Sequence, residues 1–342
     1  MVTIVDIAKK AGVSRGTVDR VLHDRGRVSP EKAELVKRCA QEMGYQPNIA
    51  ARGLAARKKR LRFGFCYMVG RLAPFYIKVY EEAKKYAETL IQYGVEVCFF
   101  PINIEDANNE QMGIEFVKKN QMDGWAMSGM FGELYLKSLH ALEMEPVPIV
   151  SYNTDIHERI AYVGCDYLQS GRLACGLAAI MTDNQASIGI LSYFATSISS
   201  KLRIQGFRQE MEEYYPQMSI ADTAYFDLQM DEFDVFLTVK RMIEKHPDIN
   251  VIYFANPGDY AVCRAINKVA EKRKIKVITY DLESEELIDL IKDGKIDVTI
   301  GQEPEKQGRM PLEILFNYLV LGMKPEKDWY KTELSIHIRQ NI

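Results

Sequence analysis

The opening sixty residues repeat one short hydrophobic grammar three times. Ile4, Ile7, Ala8 and Ala11 recur at helical spacing behind Thr3 and Asp6, a hydroxyl and a carboxylate that can serve each other's backbone N–H groups at a helix start. This predicts a helix over about residues 4–10. Gly12 supplies a turn, and Ser14 can cap a second helix whose apolar face is Val18, Val21 and Leu22. Ser29-Pro30 opens a third, with Leu35, Val36, Cys39, Ala40 and Met43 on one side and Gly44 closing it. Two short helices joined by a glycine turn and packed by a third describe a helix-turn-helix. From Arg62 the period changes. RFGFCYMV, VEVCFFPI, DGWAMSGM, VPIVSYN, SIGILSY, VIYFAN, KVITYD and VTIGQE read as apolar strands. The amphipathic runs between them read as helices: PFYIKVYEEAKKYAETLIQYG, NEQMGIEFVKKNQ, LQSGRLACGLAAIM, KLRIQGFRQEMEEYY, VCRAINKVAEKR, SEELIDLIKDG and GRMPLEILFNYLVLG. Such alternation implies parallel sheets with helices on both faces, and the strands are too many for one sheet, so two α/β lobes are expected.

Charge divides the chain at the same place. Residues 1–60 hold 14 Lys and Arg against 6 Asp and Glu, net +8, while the remaining 282 residues hold 30 against 41, net −11. A basic segment attracts phosphate through Coulomb forces and counterion release, and an acidic body is repelled by it and faces elsewhere. The longest uncharged apolar run, LACGLAAIM (173–181), is too short to span a bilayer, and the charges in MVTIVDIAKKAG leave no apolar centre for a signal peptide. A cytoplasmic chain without membrane contact is expected. Six cysteines, at 39, 66, 98, 165, 175 and 263, show no CxxC or Cys/His spacing and read as reduced core residues. No dinucleotide, Walker, nucleophile-elbow or zinc-protease motif occurs, and the histidines at 23, 140, 157, 246 and 337 have no motif neighbours. No catalytic residue, metal or cofactor is therefore expected.

Ligands of open α/β sheets bind outside the carboxyl ends of strands. The polar residues just after the apolar runs are Asn103, Asn153, Asn256, Asp281 and Gln302. Phe75 and Tyr76, after the first strand, could cover the apolar face of a bound ring, or simply pack a helix start. For Asp281 a helix N-cap reading competes, the sequence continuing DLESEE.

TIVDIAKKAGVSRGTVDRVL, followed by RVSPEKAELVKRCAQEMGYQPNIAARGLAARK, resembles the headpiece of the LacI family of bacterial transcription regulators nearly position by position. With looser motifs, residues 62–342 resemble that family's periplasmic-sugar-binding-protein-like core. The resemblance implies a small all-α helix-turn-helix headpiece over 1–47, a hinge helix and linker over 48–61, and a two-lobed α/β core for effector binding and dimerisation over 62–342. Its first lobe would comprise about 62–163 with 301–321, and its second about 164–300 with 322–342. The tail WYKTELSIHIRQNI reads as a strand end without heptads, so no tetramerising coiled coil is expected.

The family likeness further implies a homodimeric repressor of a carbohydrate-utilisation operon, bound to roughly palindromic double-stranded operator DNA. A small effector, a sugar or sugar derivative, would sit between the lobes. A purine or other metabolite is the alternative for the same architecture, and the basic head argues against a sugar-binding protein without a DNA role. Carried over residue by residue, Arg15, Gly16 and Arg20 fall at base-reading positions of the second helix, and Thr17 and Asn48 at phosphate contacts. Arg52 lies in the hinge, where Leu54 is the wedge between base pairs of the minor groove. Asp19, where the family more often has serine, can meet Arg15 on the same helix face or accept a hydrogen bond from cytosine N4. In the core, Arg203 of LRIQGF corresponds to the cleft arginine that holds sugar hydroxyls, with Asn256, Asp281 and Gln302 at ligand positions. A guanidinium and a carboxylate can each take vicinal hydroxyls in paired hydrogen bonds. At Asn103 and Asn153 the family more often shows aspartate.

Overall fold

The computed structural model describes residues 2–22, 26, 28–45, 60–70, 73–106, 109–193, 197–227, 229–257, 260–270, 273–282 and 284–342. Three short helices come first: α1 (Ile4–Ala11), α2 (Arg15–Leu22) and α3 (Pro30–Glu42). The cap of α1 is reciprocal, with Asp6 N–H donating to Thr3 Oγ1 at 3.3 Å and Thr3 N–H donating to the Asp6 carboxylate at 2.9 Å. The hydrogen bonds from Thr3 hold the Asp6 carboxyl below its usual range. Gly12 then takes φ +63, a left-handed conformation that costs glycine little, and turns the chain into α2. Thr17 N–H donates to Ser14 Oγ at 3.1 Å, capping α2. At α3 the outcome is different: Ser29 stands at the N-cap but its hydroxyl makes no capping bond, and Pro30 occupies the first turn, where no N–H is needed. Ile7, Val18 and Val36, one from each helix, are fully buried together. At about 1.5–3 kcal/mol for each fully buried side chain, these few contacts hold the three-helix unit together.

In chain order the body continues with β1 (Leu61–Val69), α4 (Ala73–Leu90), β2 (Val95–Asn103), α5 (Glu110–Lys119), β3 (Gly124–Ser128), α6 (Gly129–Ala141), β4 (Ile149–Tyr152) and β5 (Ala161–Gly164). After these come α7 (Tyr167–Met181), β6 (Ser187–Tyr193), α8 (Ile198–Tyr214), β7 (Ser219–Phe226), α9 (Glu232–Lys245), β8 (Val251–Pro257) and α10 (Tyr260–Val269). The last elements are β9 (Lys276–Tyr280), α11 (Glu285–Lys292), β10 (Val298–Gly301), α12 (Pro304–Leu319), β11 (Trp329–Lys331) and β12 (Ser335–His337). They form two six-stranded sheets, ordered β11-β5-β4-β3-β1-β2 and β12-β10-β9-β8-β6-β7. Every pairing is parallel except β12 with β10. This is the two-lobed α/β architecture expected from the alternating pattern.

Four elements lie outside the predicted set, α6, β5, β7 and α9, and the first three are not legible in the pattern. Helix α6 buries Phe131, Leu134, Tyr135, Leu136 and Leu139, so it has apolar residues nearly all round and no clean stripe. Strands β5 and β7 are a four-residue segment and a mixed polar edge strand. Helix α9 does carry the signal, with Val235, Val239, Met242 and Ile243 buried at helical spacing.

The chain passes between the lobes at three points, after β5, after β10 and after β11. The expected assignment of 322–342 to the second lobe is therefore corrected in part. Trp329–Lys331 extends the first-lobe sheet beside β5, and only Ser335–His337 joins the second. The apolar tail pattern could not say which sheet edge each half would reach. The three crossings are tied together by polar contacts: Lys331 Nζ to Asp166 Oδ2 at 3.0 Å, Lys306 Nζ to Lys331 O at 2.9 Å, and Glu333 N–H to Glu303 Oε2 at 2.6 Å.

Helices α7 and α8 pack backbone to backbone. A Cβ at Gly171 would lie 1.9 Å from Arg203 O, and one at Gly206 would lie 2.0 Å from Leu168 O. This crossing fixes where Arg203 enters the second lobe. Gly171→Val is expected to destabilise the fold by about 3 kcal/mol or more through overpacking, read as a lower urea midpoint. Gly176→Ala on the same helix, where the nearest atom would be 3.9 Å away, should leave stability unchanged or raise it by up to about 1 kcal/mol.

Candidate functional site

The candidate cleft is built at the carboxyl ends of strands from both lobes. Two of its residues, Asn153 after β4 and Asp281 after β9, sit at left-handed φ values of +60 and +65. Asn and Asp tolerate that conformation better than other side chains, and it turns each out of its strand. Arg203 comes from α8, is 2% exposed, and lays its guanidinium 3.6 Å from the Tyr280 ring centroid and 5.0 Å from that of Tyr167. Nη1 donates to Ala255 O at 3.2 Å, whereas Nε is buried without a partner. Burial works against its charge, but the Tyr280 phenol, Cys165, Tyr167 and the Asp281 carboxyl outweigh it, raising its pKa above the ordinary arginine value.

Asp281 is 3% exposed. Gln302 Nε2 donates to both of its oxygens, at 3.1 and 2.9 Å, and Gln302 Oε1 accepts from Cys165 Sγ–H at 3.3 Å. Burial is the largest influence on this carboxyl and pushes its pKa up to about 6, against the Arg203 charge and the Gln302 bonds, which favour ionisation. The cap of α11 falls to Ser284, whose Oγ accepts from Leu287 N–H at 3.2 Å, so Asp281 is not that helix's N-cap.

On the first-lobe wall, Tyr76 O–H donates to Asn153 Oδ1 at 3.0 Å and Tyr162 O–H to Asn153 O at 2.6 Å, and Tyr167 O–H of α7 reaches the same Asn153 O at 2.7 Å. Burial pushes the Tyr76 phenol up to about 12, and it also feels the charges of Asp281 and Arg203 across the cleft. Tyr76, Asn153, Arg203, Asp281 and Gln302 are thus brought together. Phe75 is buried in the first-lobe core, edge-on to Tyr76, which is the packing alternative foreseen for it. Asn256 Oδ1 accepts from Ser192 Oγ–H and Tyr193 N–H, and its Nδ2 donates to Ser200 Oγ. It clamps β6, β8 and the start of α8, and only its second amide hydrogen is uncommitted by these bonds. Asn103 is exposed at the end of edge strand β2, beside Gly70.

Tyr167, Tyr280 and Cys165 were missed in the sequence. Tyr280 ends an apolar run and reads as core, Tyr167 stands between Asp166 and Leu168 at a helix start, and nothing in spacing tells a ring that supports a guanidinium from one that fills space. Among the described residues no His, Cys, Asp or Glu cluster is placed to hold a metal, and no helix is long and apolar enough to cross a membrane.

In the headpiece, Arg15, Gly16 and Arg20 are exposed on α2, and Thr17 and Asp19 are half-buried. Arg20 Nε donates to Gly16 O at 3.1 Å, and Thr17 Oγ1 lies 2.9 Å from Ser14 Oγ. Asn48, Arg52 and Leu54 lie outside the described residues.

Comparison with known proteins places this geometry. A periplasmic binding protein domain matches residues 65–323, and the helix-turn-helix of bacterial regulatory proteins of the lacI family matches residues 3–48. The chain belongs to the periplasmic-binding-protein domain family, in the form carried by LacI-type regulators. The ribose operon repressor of Halalkalibacterium halodurans is 26% identical over 255 residues, 74% of this chain and 71% of that protein. The transcriptional regulator DegA of Bacillus subtilis is 27% identical over 215 residues, 62% of this chain and 61% of that protein. Among solved structures, GanP, a glucose-galactose binding protein from Geobacillus stearothermophilus, superposes with TM-score 0.69 at 21% identity, covering 82% of this chain and 98% of its own. A solute binding protein of Agrobacterium vitis bound with α-D-tagatopyranose gives 0.69 at 16% identity, covering 82% and 95%. These last two likenesses establish the fold.

The raised Asp281 pKa has a consequence for stability. The carboxyl holds its proton more tightly in the folded chain than in the unfolded one, where its pKa is about 4. The stability it contributes is therefore lost as pH rises from about 4 through about 6. Asp281→Asn, free of this titration, should gain on the wild type across that window by on the order of 2 kcal/mol and hold the gain at pH 8, read from urea unfolding at each pH. A pH-independent difference would contradict the burial described for this carboxyl.

Proposed function

We propose that this protein is a sequence-specific transcriptional repressor of a carbohydrate-utilisation operon, acting in the cytoplasm without catalysis. It binds roughly palindromic operator DNA as a homodimer and is controlled by a sugar or sugar derivative held between the lobes. The observation that carries this reading is the pairing, in one chain, of a basic helix-turn-helix with a cleft centred on a buried, under-bonded arginine facing a carboxylate. The ribose operon repressor among its relatives supports the same reading.

In this account α2 enters the major groove, where the exposed Arg15 and Arg20 reach guanine edges and Gly16 lets the helix start approach closely. Thr17 and Asn48 contact phosphates, Arg52 adds charge in the hinge, and Leu54 enters the minor groove. Tyr76, Asn153, Arg203, Asp281 and Gln302 face the effector, with Phe75 backing Tyr76; Asn256 adds its one uncommitted amide hydrogen, and Asn103, at the sheet edge, is left out of the contact set. The domain limits follow: headpiece 1–47, hinge and linker 48–61, core 62–342. Effector binding favours one arrangement of the lobes and biases how the two headpieces of the dimer are held.

Selection from random double-stranded DNA by the full-length chain should return a two-fold repeat, and a chain lacking residues 1–60 should return none. Asp19→Ser, scored against each single-base variant of that site, should lose about 1–3 kcal/mol of discrimination at one base pair. Uniform tightening on every variant would instead make Asp19 a source of phosphate repulsion, and selective binding by the truncated chain would overturn the headpiece assignment.

A further inference from the structure

We infer that the effector is an acidic sugar, a polyhydroxylated carboxylate such as an aldonate or uronate, whose carboxylate is taken by Arg203. The inference rests on the proposal that the cleft holds the effector and concerns which chemical class fits it. It follows from which hydrogen-bonding groups of the wall are already engaged and which are not.

Every side-chain acceptor of the wall already takes at least one donor. Both oxygens of Asp281 take Gln302 Nε2, and Gln302 Oε1 takes the Cys165 thiol. Asn256 Oδ1 takes two donors, Ser192 Oγ and Tyr193 N, at 2.9 and 2.7 Å. Asn153 Oδ1 takes the Tyr76 hydroxyl, and its main-chain oxygen takes two further phenols. The donors are left over. Among the described residues, Arg203 is bonded only through Nη1, and its Nε is buried without a partner. The amide NH2 of Asn153 and the second amide hydrogen of Asn256 are likewise outside these bonds.

A neutral sugar brings as many O–H donors as hydroxyl oxygens and needs acceptors from the wall; a carboxylate brings acceptors alone. The geometry of Arg203 points the same way. Its face rests on Tyr280 and Nη1 is spent on Ala255 O, so the edge that remains is Nε with Nη2. That edge is the fork that binds a carboxylate through two parallel hydrogen bonds. A guanidinium buried to 2% exposure with its Nε unpartnered among the described residues is costly, and a bound anion supplies both a counter-charge and the missing bond. Asp281 does not stand in the way, because burial has lifted its pKa to about 6 and a carboxylate bound nearby lifts it further, so the anion binds with uptake of a proton at Asp281.

The test is calorimetric titration of the full-length chain with matched probes: glucose against gluconate and glucuronate, and galactose against galactonate and galacturonate, with glucose 6-phosphate as a separate arm. At least one sugar acid should bind ten times or more tightly than its neutral counterpart. Arg203→Lys, which keeps the charge and loses the fork, should weaken that acid at least tenfold. Asn153→Asp, which replaces an amide donor by a carboxylate and tolerates the same backbone, should also weaken the acid and narrow its advantage over the neutral sugar. Neutral sugars binding while their acids do not would overturn the inference and leave the cleft reading intact. Binding of the phosphate alone would overturn the carboxylate assignment, and binding of none of the probes would count against the inference and the sugar-derived effector together.

Discussion

The body of this protein is organised around one buried cation. Arg203 can be kept almost out of water because α7 and α8 meet through Gly171 and Gly206 at backbone contact distance, which sets its Cα where the side chain reaches the end of β9. Tyr280 then offers its ring face, Ala255 a carbonyl, and Asp281 a charge of opposite sign through space. Taking a guanidinium out of water is expensive unless its donors find partners. An incomplete set of partners in a site between two lobes is the arrangement expected of a group waiting for a ligand.

Few segments join the lobes that flank this group. Three chain crossings, braced by Asp166, Glu303, Lys306 and Lys331, carry the connection. Glu303 itself is held at φ +55, next to Gln302, so the cleft wall and the crossing share consecutive residues. A ligand that bonds to Tyr76 or Asn153 on one side and Arg203 on the other interacts with both lobes, and its free energy of binding depends on their arrangement. Such differential affinity is all that a population shift requires. The headpiece has a small packed core of its own, with Ile7, Val18 and Val36 at its centre.

Much of this was legible in the chain. Alternation and capping gave the headpiece helices and most strands, because strands buried on both faces are continuous apolar runs and caps are local chemistry. The rule that ligands lie beyond strand ends picked out Asn153, Asp281 and Gln302, which the fold does bring together with Arg203. It could not separate these from Asn103, whose strand lies at the sheet edge, or from Asn256, whose amide clamps its own lobe. Side-chain commitment depends on neighbours distant in sequence, and so does the tail, whose two halves join different sheets. The apolar all-round surface of α6 and the supporting rings of Tyr167 and Tyr280 read as ordinary core for the same reason.

The central claim is that the cleft around Arg203 and the basic headpiece are energetically coupled. Its most direct measurement is a closed thermodynamic cycle on the full-length chain: operator affinity with and without saturating effector, and effector affinity with and without operator. The account predicts that both ratios depart from one, by about 5- to 150-fold, and equal each other. A ratio of one on both sides, with each ligand bound, would contradict it.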